Sequence, residues 1–574
     1  MKRILKYLHW ILPAALTVGA WVFFAFGYAG HLLYIEGNQM FLWNGDYMVD
    51  TVMRVGGMSD YIARFITQFY HWPLVGGALV ALLLLALQQG VQRIMRRLGG
   101  DMLWTLSFVP PIIYWVLLCD ENYTLSGLVA LAGAVWLAVA VSAVGKSWLR
   151  GAVTALAIPA VWLLLGGTAA VTWLMVVIVE AVAAERRRWE VFVGAAAAVA
   201  IIAVVWVAVP WQRYFESMVT GGTYFYFAEI PVQDFLKVWG ATVVVTVIPL
   251  LLGRWYRPWF EAVVAVAAIV ASGSLLSKHY NALDEDVMRY YYLTHYGRWD
   301  DVIARAERKT PDTQAGLICV NLALAVTDQT GARTFDFEQH GPAGLFMPYD
   351  QDVLFSGEVL YRLGFINEAQ HYAYESMASI PDHQRGIYFV GRLAETNMIA
   401  GRTEVARKYL NIMKQTLFYR GWAKQLLELM EQDGAVDANP VYGSLRRMQP
   451  TENFAFVSTQ LGGMLEIMLH QHPDNRPVYN YLMSYCMLLK DIDGFADHLI
   501  IPAQGLPRCY EEAFVMICRI KRLDYSTLPS NINRSTINRL EQYIRAFNMS
   551  GNNPEALKED WGNTYWYYTN FVKF

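Results

Sequence analysis

Long apolar runs fill residues 1–277 and constrain more than anything else what the chain can become. A helix needs about 20 apolar residues to cross the ~30 Å hydrocarbon of a bilayer. Lipid offers no partner to an unpaired backbone N–H or C=O, so such runs must fold as helices. Nine segments meet or approach that length, near 9–30, 73–89, 102–119, 127–145, 152–166, 168–184, 191–209, 238–253 and 259–277. Only Gly166-Gly167 separates the fifth from the sixth, so the count of nine depends on a turn there. Lys2, Arg3 and Lys6 before an apolar stretch also give the outline of a signal peptide. The run from Trp10 to Tyr28 outlasts the usual signal core of about 7–15 residues, so a retained first helix is expected.

Charge divides the chain in the same place. Residues 1–277 hold 17 of the 46 Lys and Arg and 14 of the 49 Asp and Glu. The remainder, 278–574, is charge-rich and acidic. A composition of 55% hydrophobic and 17% charged residues, with a mean hydropathy of +0.26, excludes a disordered chain and a nucleic-acid binder. Placing the amino terminus in the cytoplasm puts thirteen basic residues in inside segments. Four remain outside before residue 278: Arg54, Arg64, Arg213 and Lys237. The positive-inside bias then predicts a multi-pass protein of the cytoplasmic (inner) membrane, with residues 278–574 outside, in the periplasm.

From Lys278 onward the pattern changes to amphipathic helices with short polar breaks. Turn elements recur at Tyr296-Gly297-Arg298, Thr330-Gly331-Ala332, Leu363-Gly364-Phe365 and Ala400-Gly401-Arg402, with the glycines 34, 33 and 37 residues apart. Leu363–Ala369 and Ala400–Ala406 share a Gly-x-x-x-x-Ala turn and resemble tetratricopeptide repeats, whose period is about 34 residues. That resemblance implies a soluble α-solenoid in which each helix pair covers its neighbour's apolar face. The fold class expected is therefore all-α, a transmembrane bundle (1–277) with a long first outside loop (35–72), followed by an extracytoplasmic tetratricopeptide-like domain (278–574). Cys119, Cys319, Cys486, Cys509 and Cys518 sit mostly in apolar helical stretches and read as buried thiols, not as a disulfide framework. The aromatic tail 563–569 reads as a cap on the last repeat.

Chemistry is expected where carboxylates meet a membrane face. Glu36 follows the first span, Asp46 and Asp50 occupy the first outside loop, and Asp120-Glu121 ends the third span. A carboxylate held at such an edge loses water, which raises its pKa and suits it to base work. Hard oxygen ligands of this kind also hold a divalent metal; the alternative role is that of interfacial anchors or helix caps. Met58–Tyr70 carries Tyr61/Ile62, Phe65/Ile66 and Phe69 on one helical face, with Ser59 as its expected amino-terminal cap. That stripe suits a helix lying in the interface or packed on the bundle. No Gly-x-x-x-x-Gly-Lys-Ser/Thr, Cys-x-x-Cys or Gly-x-Ser-x-Gly occurs.

The first helix, the long acidic loop with juxtamembrane helices and the acidic pair after helix three resemble the GT-C class of membrane glycosyltransferases. The resemblance implies transfer of a sugar from a polyprenyl-phosphate donor to an acceptor at the outer face. It would make Glu36, Asp46 or Asp50 the base, Asp120 and Glu121 a second acidic element, and Arg54, Arg64 and Arg213 the holders of the lipid phosphate. The first loop lacks the Asp-x-Asp or Asp-Asp pair of that class. Gly56–Tyr61 through Gln68-Phe69-Tyr70, with the aromatic tail, also resembles an uncharacterised family of Bacteroidota membrane proteins known only as a domain of unknown function. The other function the layout suits is a non-enzymatic anchor whose repeat domain binds a protein partner and scaffolds an envelope assembly.

Overall fold

The computed structural model describes residues 2–99, 102–182, 189–208, 231–252, 255–257, 259–348, 350–379, 386–451, 456–524, 529 and 531–574. The fold is all-α, with no strand among the described residues. The chain forms two compact units interleaved in sequence. The first takes Met1–Glu285 with Ile380–Ile387 and Ile412–Gly421; the second takes Asp286–Ser379, Tyr388–Asn411 and Trp422–Phe574.

Twelve helices of the first unit are α1 (Lys2–Val22), α2 (Ala29–Gly37), α3 (Gly45–Val52), α4 (Gly57–Thr67), α5 (Pro73–Gly99), α6 (Val109–Leu117), α7 (Leu125–Ala143), α8 (Ser147–Leu165), α9 (Ala169–Val182), α10 (Trp189–Ala208), α11 (Val232–Leu252) and α12 (Trp259–His279). Helices α5 and α7 form the centre, where Leu84, Leu87, Val91, Leu128, Leu131 and Val135 are fully buried. In α7, 78% of the apolar stretch is buried; in α12 only 11% is, and Val263, Val266, Ile269 and Val270 face outward. An apolar helix that exposes most of its surface belongs in lipid, where that exposure costs nothing. The chain has the helices of a multi-pass membrane protein.

Seven stretches among the described residues, not nine, are long and apolar enough to cross a bilayer. Two of the expected spans account for the difference. The segment 102–119 forms a 3₁₀ turn, Trp104–Phe108, and the nine-residue α6, with Pro110-Pro111 in its first turn. Proline fits that position because its missing N–H has no intrahelical partner there. The 36-residue stretch Ser147–Val182 is the second case. It breaks at Gly166, whose φ of 73° ends α8. A straight helix would hold Arg150 and Glu180 about 45 Å apart, yet their side chains meet at 2.9 Å, buried. The stretch is therefore a hairpin, and the turn expected at Gly166-Gly167 exists. Helix α8 crosses α10 with backbones nearly touching, since a Cβ on Gly194 would lie 2.2 Å from the Gly151 carbonyl oxygen.

The second unit consists of helix pairs, including Leu354–Leu363 with Ile366–Ala378 and Leu461–Gln471 with Arg476–Leu489. Gly297, Gly364 and Gly401 each take a left-handed conformation at a helix end. Gly331 does not: Asp328 adopts the left-handed conformation instead, and Gly331 lies in the short helix Thr330–Arg333, packed against Pro507 and Tyr510. Packing also joins helices distant in sequence. Asn480 Nδ2 donates to the Ala325 carbonyl at 3.0 Å, and the Tyr481 hydroxyl to that of Leu345 at 2.6 Å. Nearest-neighbour stacking alone would not place 476–489 on 314–326. In the tail, Tyr565, Trp566 and Tyr568 are buried, and Trp566 packs on Tyr543 and Val515. All five cysteines are buried free thiols.

Candidate functional site

Helix α2 is short and buried almost all round, with Ala29, His31, Leu32, Leu33 and Glu36 in the interior. The backbone N–H groups of Gly30 and His31 donate to the two carboxylate oxygens of Glu285 at 2.7 and 2.8 Å. A carboxylate at a helix amino terminus satisfies orphan N–H groups and complements the helix dipole. In its last turn, α2 carries Glu36 into the protein, 4% exposed.

Glu36 meets residues contributed from the far end of the sequence. The Tyr419 hydroxyl donates to Glu36 Oε2 at 2.8 Å. His71 Nδ1 lies 3.4 Å from that hydroxyl and 4.0 Å from Glu36 Oε1, the latter too long for a hydrogen bond. The His71 ring stacks on Phe418, centroids 5.1 Å apart. Backbone bonds fix two incoming segments here: Trp43 N donates to the Gln415 carbonyl at 2.9 Å, and Ile387 N, from the other segment, to that of Gln39 at 3.2 Å. The Asn44 amide also bonds the Gln415 side chain. Burial raises the Glu36 pKa to about 8, against the opposing pull of the Tyr419 hydrogen bond. Burial also lowers the pKa of His71. At neutral pH the group is therefore a protonated carboxyl beside a neutral imidazole.

The cavity holding Glu36 is lined by Gln39, Arg64, Thr67, Gln68, Ile387 and Tyr419 among others. Its volume is about 20 Å³, room for about one water. Arg64 brings little free charge to it. Its Nε lies 2.9 Å from Asp60 Oδ2, with both side chains buried, and Asp60 Oδ1 accepts from Ser126 at 3.2 Å. Helix α4 thus turns its polar residues inward; Asp60, Arg64 and Thr67 are buried, while Ile62 is exposed and Tyr61, Phe65, Ile66 and Phe69 are half-buried. The apolar stripe read from sequence is real, but it is the outer face. Contrary to the expectation from sequence, Ser59 is not the cap of α4. Gly56 holds that place with φ 78°, and the Ser59 hydroxyl donates to the Gly56 carbonyl at 2.6 Å.

The remaining expected residues are dispersed. Glu121 is half-buried beside the adjoining cavity that also holds His31, and burial raises its pKa. The two cavities share Gln39 and Thr67. Asp120 is exposed and accepts from the Asn122 backbone and side chain, each at 2.9 Å. Asp46, Asp50 and Arg54 are exposed on and after α3. Arg213 lies outside the described residues. No group of three or more His, Cys, Asp or Glu among the described residues is arranged to hold a metal ion. Tyr419 carried no signal in the sequence, because nothing local links Leu417-Phe418-Tyr419 to a carboxylate 383 residues away.

Residues 3–572 match the model of the family of unknown function DUF6057. The chain belongs to that family. The description of DUF6057 carries no activity, and no curated protein and no solved structure matches the chain. What this DUF6057 chain offers chemically is one buried carboxyl, bonded to a tyrosine, next to a histidine and over a water-sized space.

Proposed function

We propose that the chain is a membrane enzyme of the glycosyl-transfer class, with Glu36 as its base, through the ionised fraction that a pKa of about 8 leaves near neutral pH, and a polyprenyl-phosphate sugar as its donor. The observation that carries this reading is the Glu36–Tyr419–His71 group. A carboxyl whose pKa sits near working pH is tuned for proton transfer, and such tuning concentrates at functional sites. Glu121, on the adjoining cavity, serves as the second acidic element. Asp46 and Asp50, exposed and lining neither cavity, are set aside as bases. The reading places the site at the outer face, following the charge bias of the loops, and gives the second unit the role of holding the acceptor or a protein partner. It also requires the cavity to enlarge when donor binds, since Arg64 is held by Asp60 and there is room for about one water.

The tightness of that cavity supports a second reading, a membrane-anchored helical scaffold for an envelope assembly. Surface glycan in cells carrying Glu36→Gln, with Asp50→Asn as the matched exposed control, separates the two. The enzyme reading expects glycan lost in the first and kept in the second. Unchanged glycan in Glu36→Gln, with the protein present at normal level, rejects the enzyme and leaves the scaffold.

A further inference from the structure

Glu36 is almost fully enclosed, so its oxygens have little direct contact with bulk water. A base in that position must pass on each proton it gains before it can accept another. The Tyr419 hydroxyl, 2.8 Å from Glu36 Oε2, is also 3.4 Å from His71 Nδ1. Glu36 Oε1 and His71 Nδ1 lie 4.0 Å apart and do not bond, so the hydroxyl stands between carboxyl and imidazole. The His71 side chain is 29% exposed. The three groups thus run in order from an enclosed oxygen to a side chain that meets water.

One short segment both clamps the imidazole and supplies the bridge. The His71 ring stacks on Phe418 with planes 8° apart, and meets the ring of the adjacent Tyr419 at 80°. Phe418 covers a face of the imidazole, and the Nδ1 edge is turned to the hydroxyl. Arg64, the other charged group lining the cavity, is paired with Asp60 and has no lone pair to take a proton. A hydroxyl both gives and accepts a hydrogen bond, so the same heavy atoms serve two proton arrangements. In one, ionised Glu36 accepts from Tyr419, which accepts from His71 Nδ1–H. In the other, protonated Glu36 donates to Tyr419, which donates to bare Nδ1. A Glu36 pKa of about 8 populates both near neutral pH.

We propose that Tyr419 and His71 form a proton relay that carries the Glu36 proton to water. The Glu36 Oε2–H bond breaks as its proton joins the Tyr419 oxygen, and the hydroxyl's own proton passes to His71 Nδ1. The imidazolium so formed gives its Nε2 proton to water. Glu36 is left ionised, Tyr419 is again a neutral hydroxyl, His71 is neutral, and one proton has left. The 3.4 Å step shortens to about 3 Å for transfer; such bonds are often long before a ligand binds. Both residues act through Glu36, as positioning residues. The use of the relay in turnover rests on the enzyme reading, whereas the proton movement does not.

The test is a light-triggered acid jump on the full chain in nanodiscs, from about pH 9 to about pH 6, either side of the Glu36 value of about 8. Time-resolved infrared follows the protonated carboxyl C=O band, and Glu36→Gln identifies it. Tyr419→Phe and His71→Phe keep an aromatic ring in place. Each should slow the rise of the band at least about tenfold with its final amplitude intact. Imidazole added to His71→Ala should restore the rate, which a merely structural role of His71 would not allow. Unchanged rates in both Phe variants overturn the relay, because the proton then reaches Glu36 through the cavity. Slowing in Tyr419→Phe alone also overturns it, because His71 is then bypassed. Slowing in both, with surface glycan unchanged in Glu36→Gln, removes the enzyme reading and leaves the relay. Unchanged rates with glycan lost in Glu36→Gln remove the relay and leave the enzyme.

Discussion

Glu36 in the first unit and Glu358 in the second are the same residue type, buried to the same degree, each 4% exposed. Their chemistry is opposite. Burial raises Glu36 to about 8, and only a tyrosine hydroxyl resists. Burial would raise Glu358 as well, but Arg392 and His295 overcome it and hold the carboxyl well below the usual range. Arg392 reaches Glu358 at 2.6 and 2.8 Å, and His295 at 2.7 Å. Burial sets the direction of a carboxyl pKa unless a cation is delivered to it. The first unit has a buried arginine beside the Glu36 cavity and gives it to Asp60; the second gives its arginine to Glu358.

Breaking the pair in the second unit has the largest expected effect. Arg392→Met leaves Glu358 buried without its main cation and should cost about 3–5 kcal/mol, seen as a lower denaturation midpoint for the full chain in nanodiscs. Adding Glu358→Gln to that variant should recover much of the loss. A cost below about 1 kcal/mol, the value of an exposed pair, would show that Arg392 does not set the state of Glu358.

The pH dependence should run in opposite senses for the two residues. The raised Glu36 carboxyl gives stability that is full below the unfolded value of 4.5 and lost as pH rises through about 8. Its contribution to the slope is at most about 1.4 kcal/mol per pH unit. Glu358 is depressed, so its stability is present above 4.5 and lost as pH falls into acid. Unfolding measured across pH should lose its slope between about pH 4.5 and 8 in Glu36→Gln and its acid limb in Glu358→Gln. Identical profiles for the two variants would remove the contrast.

The smallest effect belongs to Tyr419→Phe. It deletes one hydrogen bond, about 0.5–1.5 kcal/mol. Because that bond lowers the Glu36 pKa, its loss should move the Glu36 titration upward. A downward movement would mean that the hydroxyl does not donate to the carboxyl.

How far the sequence foretells this molecule depends on how local each cause is. The apolar stretches are legible because bilayer thickness fixes a length, and Gly166 is legible as a turn. The segment 102–119 misleads, since apolar content cannot register that Pro110-Pro111 begins a new helix. Gly331 misleads because Asp328 takes the left-handed conformation three residues earlier. Edge position singled out Glu36, and the resemblance to the GT-C class added Asp46 and Asp50, which prove exposed. Telling them apart takes Tyr419 and Ile387, brought in by segments hundreds of residues downstream, and no periodicity encodes that meeting. Asp60 and Arg64 stand one helical turn apart and could be read as a pair; that they face inward is decided by the neighbouring helix through Ser126.

The account depends most on the raised pKa of Glu36, which lets it take and release a proton near working pH. Infrared difference spectroscopy of the full chain in nanodiscs, wild type against Glu36→Gln, isolates the carboxyl C=O stretch of this one residue. A protonated band present at pH 6 and fading with a midpoint near 8 is the expected result. A carboxylate already ionised at pH 6, titrating near the ordinary 4.5, would contradict the account.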